Sequence, residues 1–480
     1  METLKQLTGA APGRKQPAKV ATDDIYPVHM LDDTKTLRGI VVAWTFRFND
    51  VLDPEKLHGS LARLLEIGDW RKVGGRLRLK DDGQLEIHVP TPFTPSRPAI
   101  TYTHQTLSTN IDDHPLAQRL PKATDGPSIQ AGPPDFQVFA AADNAPATLD
   151  DFLYSDRPQL SLHITSFNDA TLVALLWPHT LMDAMGQQAL LKGWSLVLAG
   201  REAEVLPLLG ARVDAMSASV GEEGEGYRMA GKALKGWRML KFGLRFGWGV
   251  VWGAAPETRS IFLPGSTVAN LRLQAQRDIE KDAFVSDNDI LTAWATRAIA
   301  SSVPQARPVT VLNVVNARLR LPSLLDAPGV FVQNMAVPAF TCLSADTVAA
   351  RSLGTIALEN RRQLMEQASR SQIVAFLQWL QGKPKAEQDP SFVCGETDAI
   401  LIPVTNWERA NFYQAIDFSA AVVKPGYVGE RNNPPGSIVY HHASSMRVSA
   451  AVRNVLVVVG KDFGGGYWMT GIFSPATWAK

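Results

Sequence analysis

Residues 174–190 read ALLWPHTLMDAMGQQAL, and the fold follows from this stretch. It begins with a continuous apolar run, which is typical of a strand buried on both faces of a sheet. Pro178 has no backbone N–H, so it suits the point where strand pairing stops. After the following histidine, the apolar spacing predicts a helix that runs to about Ala199 and ends at Gly200.

Two polar residues flank the turn between this strand and this helix, His179 and Asp183. A neutral imidazole at such a strand end can accept a proton from a hydroxyl. Asp183 could orient the imidazole, cap the helix or pair with a cation. The spacing alone is not decisive, because His29 also lies four residues before an aspartate, Asp33. No apolar strand precedes that second match, so we interpret it as a coincidence.

The composition is that of an ordinary globular protein. The 480 residues are 45% hydrophobic and 20% charged, and the net charge of +1 gives no electrostatic reason to expect a nucleic acid or an anionic membrane as the principal partner. Cys342 and Cys394 form neither a disulfide framework nor a metal cluster, so we expect no metal and a reducing, cytoplasmic location. No apolar stretch approaches the roughly 20 residues that span a bilayer. The amino-terminal residues lack the apolar core of a secretory signal.

Strands and helices alternate on both sides of a Gly- and Glu-rich segment, residues 217–236. This order predicts a mixed α/β protein with an N-terminal domain over 1–215, a crossover linker over 216–259 and a C-terminal domain over 260–480. Residues 232–255 are basic and aromatic and could form an amphipathic helix on a membrane surface. Packing of that helix against the protein itself is the simpler interpretation.

Three further segments carry local predictions. His441 and His442 are adjacent and should point to opposite sides of an extended segment, for which we expect a surface loop and no metal site. Residues 346–370 have the periodicity of one long amphipathic helix. The sequence KDFGGGYW (461–468) is interpreted as a turn that ends a strand, because no helix start follows it as a phosphate-binding loop would require.

Three more stretches bear on function: VVNARLRL (314–321), VFVQN (330–334) and TNWERANFYQAIDF (405–418). Together with HTLMDA (179–184) they resemble motifs of the BAHD acyltransferase family, in particular its fungal secondary-metabolite branch, which includes trichothecene acetyltransferases. Each match is weak alone. Their occurrence in the family's order, from about residue 40 to the C-terminus, makes the resemblance specific.

The resemblance carries over residue by residue, with departures. Ala184 replaces the glycine of the family's His-x-x-x-Asp-Gly motif, and DFSAA replaces its DFGWG segment. The family implies structural support from Arg318, Asn334 and Asp417. The residues that fall on motif positions are His179, Asp183, Arg318, Asn334, Thr405, Trp407 and Asp417.

The resemblance implies two chloramphenicol-acetyltransferase-like domains, each a mixed sheet with flanking helices, and an active-site channel at their interface. It implies transfer of an acetyl or other short acyl group from acyl-CoA, the co-substrate, to a hydroxyl of a secondary metabolite. No permanently bound cofactor is expected. We expect a monomer whose partners are acyl-CoA and a hydroxylated small molecule. Neither the acceptor nor the residues that bind coenzyme A can be assigned from the sequence.

The resemblance also implies catalytic roles. His179 would be the general base that activates the acceptor hydroxyl. Asp183 would face away from the channel and form a salt bridge with Arg318 that fixes the turn carrying the histidine. Trp407 would donate a hydrogen bond to the oxyanion, and Thr405 would help to hold the acceptor.

Three alternatives stay open at this point. A peptide-bond-forming condensation domain uses two successive histidines, and Pro178 stands at the place of the first. A cyclase-like biosynthetic catalyst would use the same channel without acyl transfer. A non-catalytic binder of small molecules would keep the fold without turnover.

Overall fold

The computed structural model describes residues 14–221, 225–350, 352–383, 388–390, 392–426 and 432–480. Within them the chain forms the mixed α/β fold that the sequence predicts. The strands are β1 (Asp24–Pro27), β2 (Val41–Phe48), β3 (Val51–Leu52), β4 (Arg76–Leu79), β5 (Leu85–Val89), β6 (Thr101–Thr106), β7 (Ser128–Ala131), β8 (Ser161–Ser166), β9 (Thr171–Pro178), β10 (Leu208–Leu209), β11 (Glu257–Leu263), β12 (Val309–Asn316), β13 (Val330–Phe331), β14 (Ala336–Leu343), β15 (Ile400–Asn406), β16 (Val422–Lys424), β17 (Tyr440–Ser445), β18 (Val455–Lys461) and β19 (Tyr467–Phe473).

The α-helices differ widely in length, from four residues to the 17 of the longest. They are α1 (Lys35–Arg38), α2 (Pro54–Leu64), α3 (Leu149–Leu153), α4 (Ala184–Leu198), α5 (Ala215–Ala218), α6 (Gly236–Trp252), α7 (Gly265–Arg277), α8 (Asp287–Ser301), α9 (Pro322–Leu325), α10 (Ala345–Ala350), α11 (Leu353–Gln367), α12 (Arg370–Gln381), α13 (Phe412–Ala415) and α14 (Pro475–Trp478). Along the described residues, no helix is both long and apolar enough to cross a membrane.

The first large sheet has the strand order β17-β2-β9-β8-β6. Every residue of β9 is buried, as its continuous apolar run predicts, and the strand lies at the centre of the sheet. Helix α4 follows it and packs on α2, where the indole of Trp194 donates a hydrogen bond to the carbonyl of Leu57 (3.1 Å). The strand and the helix on either side of His179 are therefore both anchored in one core.

The second large sheet has the order β14-β12-β15-β18-β19-β11-β7. Strands β12, β15 and β18 run parallel at its centre, and the parallel register brings the C-terminal ends of β12 and β15 to the same edge. Each large sheet also takes an edge strand from the other half of the sequence. β17 pairs with β2, and β7 pairs with β11.

This strand exchange bears on the domain boundaries, because β7 lies before residue 215 and β17 lies after residue 260. The segment expected to be a linker is structured where it is described. Tyr227 and Met229 are buried in it, and the Tyr227 ring packs 5.4 Å from that of Phe376 in α12. Helix α6 follows. The boundaries at 215 and 260 stay a prediction.

Two local predictions are wrong. His441 and His442 do point to opposite sides, but they lie in β17 and are buried, because β17 is covered by aromatic residues on both faces. Residues 346–370 do not form one helix. α10 ends at residue 350, and α11 starts after Ser352, whose hydroxyl caps it by accepting from the Thr355 amide. The interpretation of residues 461–468 is confirmed, since they form the turn between β18 and β19.

Candidate active site

The candidate site lies at the turn from β9 into α4, where the backbone of His179 is held on both sides. Its amide donates to the Ile40 carbonyl (2.9 Å), which extends the pairing of β9 with β2 one residue beyond Pro178. The Trp177 indole, itself buried, donates to the Met182 carbonyl across the turn (3.2 Å). These bonds fix the direction in which the imidazole leaves the sheet.

The His179 side chain is half-buried, and its Nδ1 atom is buried without a hydrogen-bond partner. Burial lowers the pKa of His179 below its ordinary value of 6.5. The carbonyl of the same residue, the Asp183 carboxylate and Asn334 oppose that shift, in that order. The imidazole is therefore neutral near pH 7 and able to take a proton.

The Asp183 carboxylate does not orient the imidazole, because its two oxygens are used elsewhere. Oδ1 accepts from the amides of Met185 (3.1 Å) and Gly186 (2.9 Å) and so caps the first turn of α4. Oδ2 accepts from the Arg318 guanidinium (2.8 Å) and the Met335 amide (3.0 Å). Of the three roles that the sequence allows, the structure shows the cap and the ion pair.

The predicted Asp183–Arg318 salt bridge is confirmed at 2.8 Å, with both side chains largely buried. Arg318 follows β12, in the turn Ala317–Leu319, and its second guanidinium nitrogen donates to the carbonyls of Phe331 (3.3 Å) and Gln333 (2.5 Å). One arginine of the C-terminal half thus holds the start of a helix of the N-terminal half.

Asn334 forms a second bridge to the turn. Its side-chain amide donates to the His179 carbonyl (3.0 Å) and to the Asp32 carboxylate (2.7 Å), and its backbone amide donates to the same carboxylate oxygen (2.6 Å). Burial raises the pKa of Asp32 to about 7, although the Lys72 ammonium and the bonds from Asn334 oppose the rise. Lys72 is also buried and donates to the Ala211 carbonyl (3.2 Å).

The Thr-x-Trp segment lies at the end of β15 in the second sheet, and Trp407 connects to the histidine turn through two further tryptophan rings. Thr405 lies near the end of β15, partly exposed, and its hydroxyl makes no hydrogen bond to a described residue. Trp407 follows the strand, and its ring packs 4.5 Å from that of Trp44 in β2. The ring of Trp44 stacks in turn on that of Trp177 (6.3 Å), which precedes the histidine turn. No hydrogen bond joins Trp407 to His179 along the described residues.

Asp417 lies apart from these residues. It is exposed, its backbone amide donates to the Ser195 hydroxyl (3.1 Å), and its carboxylate accepts from the Ser419 amide (3.0 Å). The neighbouring Phe418 is fully buried, and its ring lies 4.6 Å from that of Trp194. This segment therefore anchors the C-terminal half on the C-terminal end of α4, whereas Asp183 caps the N-terminal end.

Sequence reasoning missed Asp32 and His441. Asp32 adjoins the second His-x-x-x-Asp match, but no spacing connects it to an asparagine 302 residues later. His441 accepts the indole hydrogen of Trp44 (3.0 Å) and so lies under the ring on which Trp407 packs. The sequence of β17, YHHASS, has no apolar alternation that could have indicated this position.

Several fungal proteins are similar to this chain over nearly their whole length. The chain is 37% identical to O-acetyltransferase PaAT-2 of Phomopsis amygdali, over 96% of this chain and 97% of that protein. It is 34% identical to acetyltransferase BOT5 of Botryotinia fuckeliana, over 95% and 89%. A further relative, 36% identical over 97% and 95%, is named transcriptional regulator calD of Penicillium decumbens. No protein-family model matches the sequence.

Solved structures share the fold at low sequence identity. F. sporotrichioides TRI101, complexed with coenzyme A and T-2, matches with a TM-score of 0.68 and 14% identity, over 95% of this chain and 96% of that one. Vinorine synthase matches with a TM-score of 0.56 and 12% identity, over 96% and 93%. The two-domain, chloramphenicol-acetyltransferase-like fold implied by the motifs is thereby confirmed.

These findings define the class of protein as an acyltransferase. Two mixed sheets meet at a buried turn that carries a neutral histidine, and the full-length relatives include enzymes named for acetyl transfer. The chain belongs to the BAHD acyltransferase family, in its fungal branch of secondary-metabolite acetyltransferases.

Proposed function

We propose that this protein transfers an acetyl or other short acyl group from acyl-CoA to a hydroxyl of a fungal secondary metabolite, with His179 as the general base. The observation that carries the proposal is the His179 turn. A neutral imidazole is held between the two halves by Asp183–Arg318 and by Asn334. Such rigid support is what a base needs in order to meet a substrate proton in the correct geometry.

The chemistry proceeds in two steps. The acceptor oxygen attacks the thioester carbonyl as His179 Nε2 takes the hydroxyl proton, which gives an imidazolium and a tetrahedral oxyanion. The oxyanion then collapses, the carbon–sulfur bond breaks, and coenzyme A leaves as a thiolate. A thiol pKa of about 8.5 makes this an easy departure, and the imidazolium returns the proton to the sulfur.

The Thr-x-Trp segment supplies the other two roles. We assign the Trp407 indole N–H, which is a donor only, to the developing oxyanion. The ring packs against Trp44, so the indole has a fixed orientation. The Thr405 hydroxyl, which no described residue occupies, would bind the acceptor. Asp183, Arg318 and Asn334 hold the turn and do not touch the substrate in this scheme.

The choice of donor and acceptor draws on the relatives. PaAT-2 and BOT5 are named acetyltransferases, and TRI101 has been crystallised with coenzyme A and T-2. These names support coenzyme A thioesters as donors and a hydroxylated small molecule as acceptor. The name of calD concerns that relative alone, and a net charge of +1 gives no support to DNA binding here.

The proposal is tested by incubating the purified protein with acetyl-CoA and a panel of hydroxylated fungal metabolites. The expected product carries the mass of one acetyl group, and free coenzyme A appears in equal amount. His179→Ala should lower kcat by about 10²- to 10⁴-fold, the usual contribution of a general base. Binding of acetyl-CoA, measured by calorimetry, should persist in that variant.

His104→Ala is the matched control, because His104 is an exposed histidine of edge strand β6. It should leave turnover unchanged. Unchanged turnover in His179→Ala would refute the general-base role. A metabolite that is rearranged without a gain in mass would favour the cyclase-like alternative, and ligand binding without any product would favour the binder.

A further inference from the structure

Helix α6 presents an apolar face that the rest of the described protein leaves uncovered. Its large apolar residues recur at steps of three and four, which places them on one side of a helix. Their side chains are between half and three-quarters exposed, as at Trp237 (73%), Trp248 (68%) and Trp252 (71%). We call these residues the α6 apolar face: Trp237, Leu240, Leu244, Trp248, Val251 and Trp252.

The opposite side of α6 is fixed to the protein, so the exposed face is not a product of loose packing. Phe242 is buried there, and Arg238 donates to the Gly395 carbonyl (3.0 Å). Arg245 lies 3.9 Å from the Asp398 carboxylate, and Arg453 donates to the Gly249 carbonyl (2.5 Å). The helix is therefore held along its length with its apolar face turned outward.

The charge of this segment is strongly positive, although the whole chain carries only +1. α6 contains no acidic residue, and Lys241 is an exposed cation beside its apolar face, between the two arginines that hold the helix to the protein. Lys232 and Lys235 precede the helix and are exposed. An apolar face with tryptophans and an adjoining row of cations matches the two layers of an anionic membrane surface, acyl chains and phosphate groups.

We propose that α6 docks this enzyme on the surface of a membrane that contains anionic phospholipids. The helix lies in the plane of the interface, the tryptophans sit at the level of the headgroups, and the cations meet lipid phosphates. The inference does not depend on the proposed acyl transfer, because it rests on α6 alone.

The anchors of the first three turns of α6 lie away from the candidate active site. Gly395 and Asp398, which hold α6, precede β15, whereas Thr405 and Trp407 lie at its far end. Seven residues of strand at about 3.3 Å each separate the two by roughly 20 Å.

The test is co-sedimentation of the full-length protein with vesicles of phosphatidylcholine, with and without phosphatidylserine. Binding is expected only with phosphatidylserine and should weaken as salt is raised. The variant Leu244→Glu/Trp248→Glu should lower the partition coefficient at least about tenfold, because it places two charges in the apolar layer. Lys241→Glu should weaken binding less.

Leu273→Glu is the matched control, since Leu273 is an equally exposed leucine on α7 (59%), and it should bind as the wild type does. Equal loss in this control would overturn the proposal, as would absence of binding to either vesicle or binding that ignores phosphatidylserine. A protein that is dimeric by light scattering, and becomes monomeric in Leu244→Glu/Trp248→Glu without any vesicle binding, would assign the face to a second copy instead.

Discussion

The two His-x-x-x-Asp matches have the same spacing but opposite environments. At His179 the imidazole is half-buried with Nδ1 unpartnered, and Asp183 is fully used by a helix cap and by Arg318. At His29 the ring lies against the Gly210 carbonyl (2.5 Å), and burial lowers its pKa to about 4. Asp33 pairs with Arg38. One histidine is left available for chemistry, and the other is a packed part of the core.

The two segments are nevertheless connected. Asp32, beside the second match, binds Asn334, and Asn334 binds the carbonyl of His179. The match that we interpreted as a coincidence thus contributes a neighbour that supports the other match. The comparison shows that spacing identifies a site only together with the partners of each polar atom, and four predictions test how different the two segments are.

The largest expected effect is on the ion pairs. Asp183→Ala leaves the buried Arg318 unpaired and removes a helix cap, so we expect the free energy of unfolding to fall by about 3–5 kcal/mol. Arg38→Met breaks the pair at the second match, where the arginine side chain is 31% exposed, and should lower stability by about 1 kcal/mol or less. Urea unfolding followed by tryptophan fluorescence measures both.

A double-mutant cycle sharpens this prediction. Asp183→Ala and Arg318→Met remove the two ends of one contact, so the double variant should be clearly more stable than the sum of the two losses implies. Additive losses would show that the salt bridge does not couple the two halves.

The local part of this site could be predicted from the sequence, and the long-range part only through the motif resemblance. The apolar run of β9 and the cap at Asp183 follow from periodicity and residue type within a few positions. The Arg318 partner lies 135 residues away, and only the matched motif indicated it.

The failures have the same physical origin. His441 was expected in a surface loop, because nothing in its own segment indicates the strand with which it pairs, β2, which comes some 400 residues earlier. For α6 the sequence indicated packing against the protein, and the structure shows such packing on one side only, with the tryptophans exposed on the other. Whether a distant segment packs on β17 or on α6 depends on the tertiary structure, and the local sequence pattern of neither element contains that information.

The second prediction separates the two histidines by their pH dependence. His29 stays neutral in the folded protein down to pH about 4, whereas in the unfolded chain it takes a proton below its ordinary 6.5. Stability from this residue is therefore complete above pH 6.5 and is lost as the pH falls toward 4. The wild type should lose up to about 3 kcal/mol of its free energy of unfolding in this way, and His29→Leu should not show that part of the loss.

The pH dependence of kcat/KM should depend on His179. Because burial lowers the pKa of His179, kcat/KM should decline on the acid side only below pH 6.5. His29→Leu should flatten the stability profile, measured as unfolding midpoint against pH, and leave that acid limb in place. A shift of the acid limb in His29→Leu would mean that the two segments are not independent.

The third prediction concerns the connection between the segments. Asn334→Ala frees the His179 carbonyl and Asp32, so the imidazole loses part of its support, and kcat should fall about tenfold with KM for acyl-CoA unchanged. Asn313→Ala is the control, since it removes an equally buried amide that bonds to Asn360 (3.1 Å) in the C-terminal half. Equal losses of kcat in both variants would show a general loss of stability in place of a positioning role.

The smallest effect is expected at Ala184, which stands where the family motif has glycine. Ala184→Gly changes neither polar position of the motif, so kcat should stay within about twofold and stability should fall by about 1 kcal/mol or less, the price of glycine in a helix. Gly186→Ala is the informative contrast. A Cβ there would lie 2.3 Å from the Val332 carbonyl, in the segment that carries Asn334. The contrary result would be a kcat that falls in Ala184→Gly and stays unchanged in Gly186→Ala. The first residue of α4 would then position His179, and the contact with the segment that carries Asn334 would not.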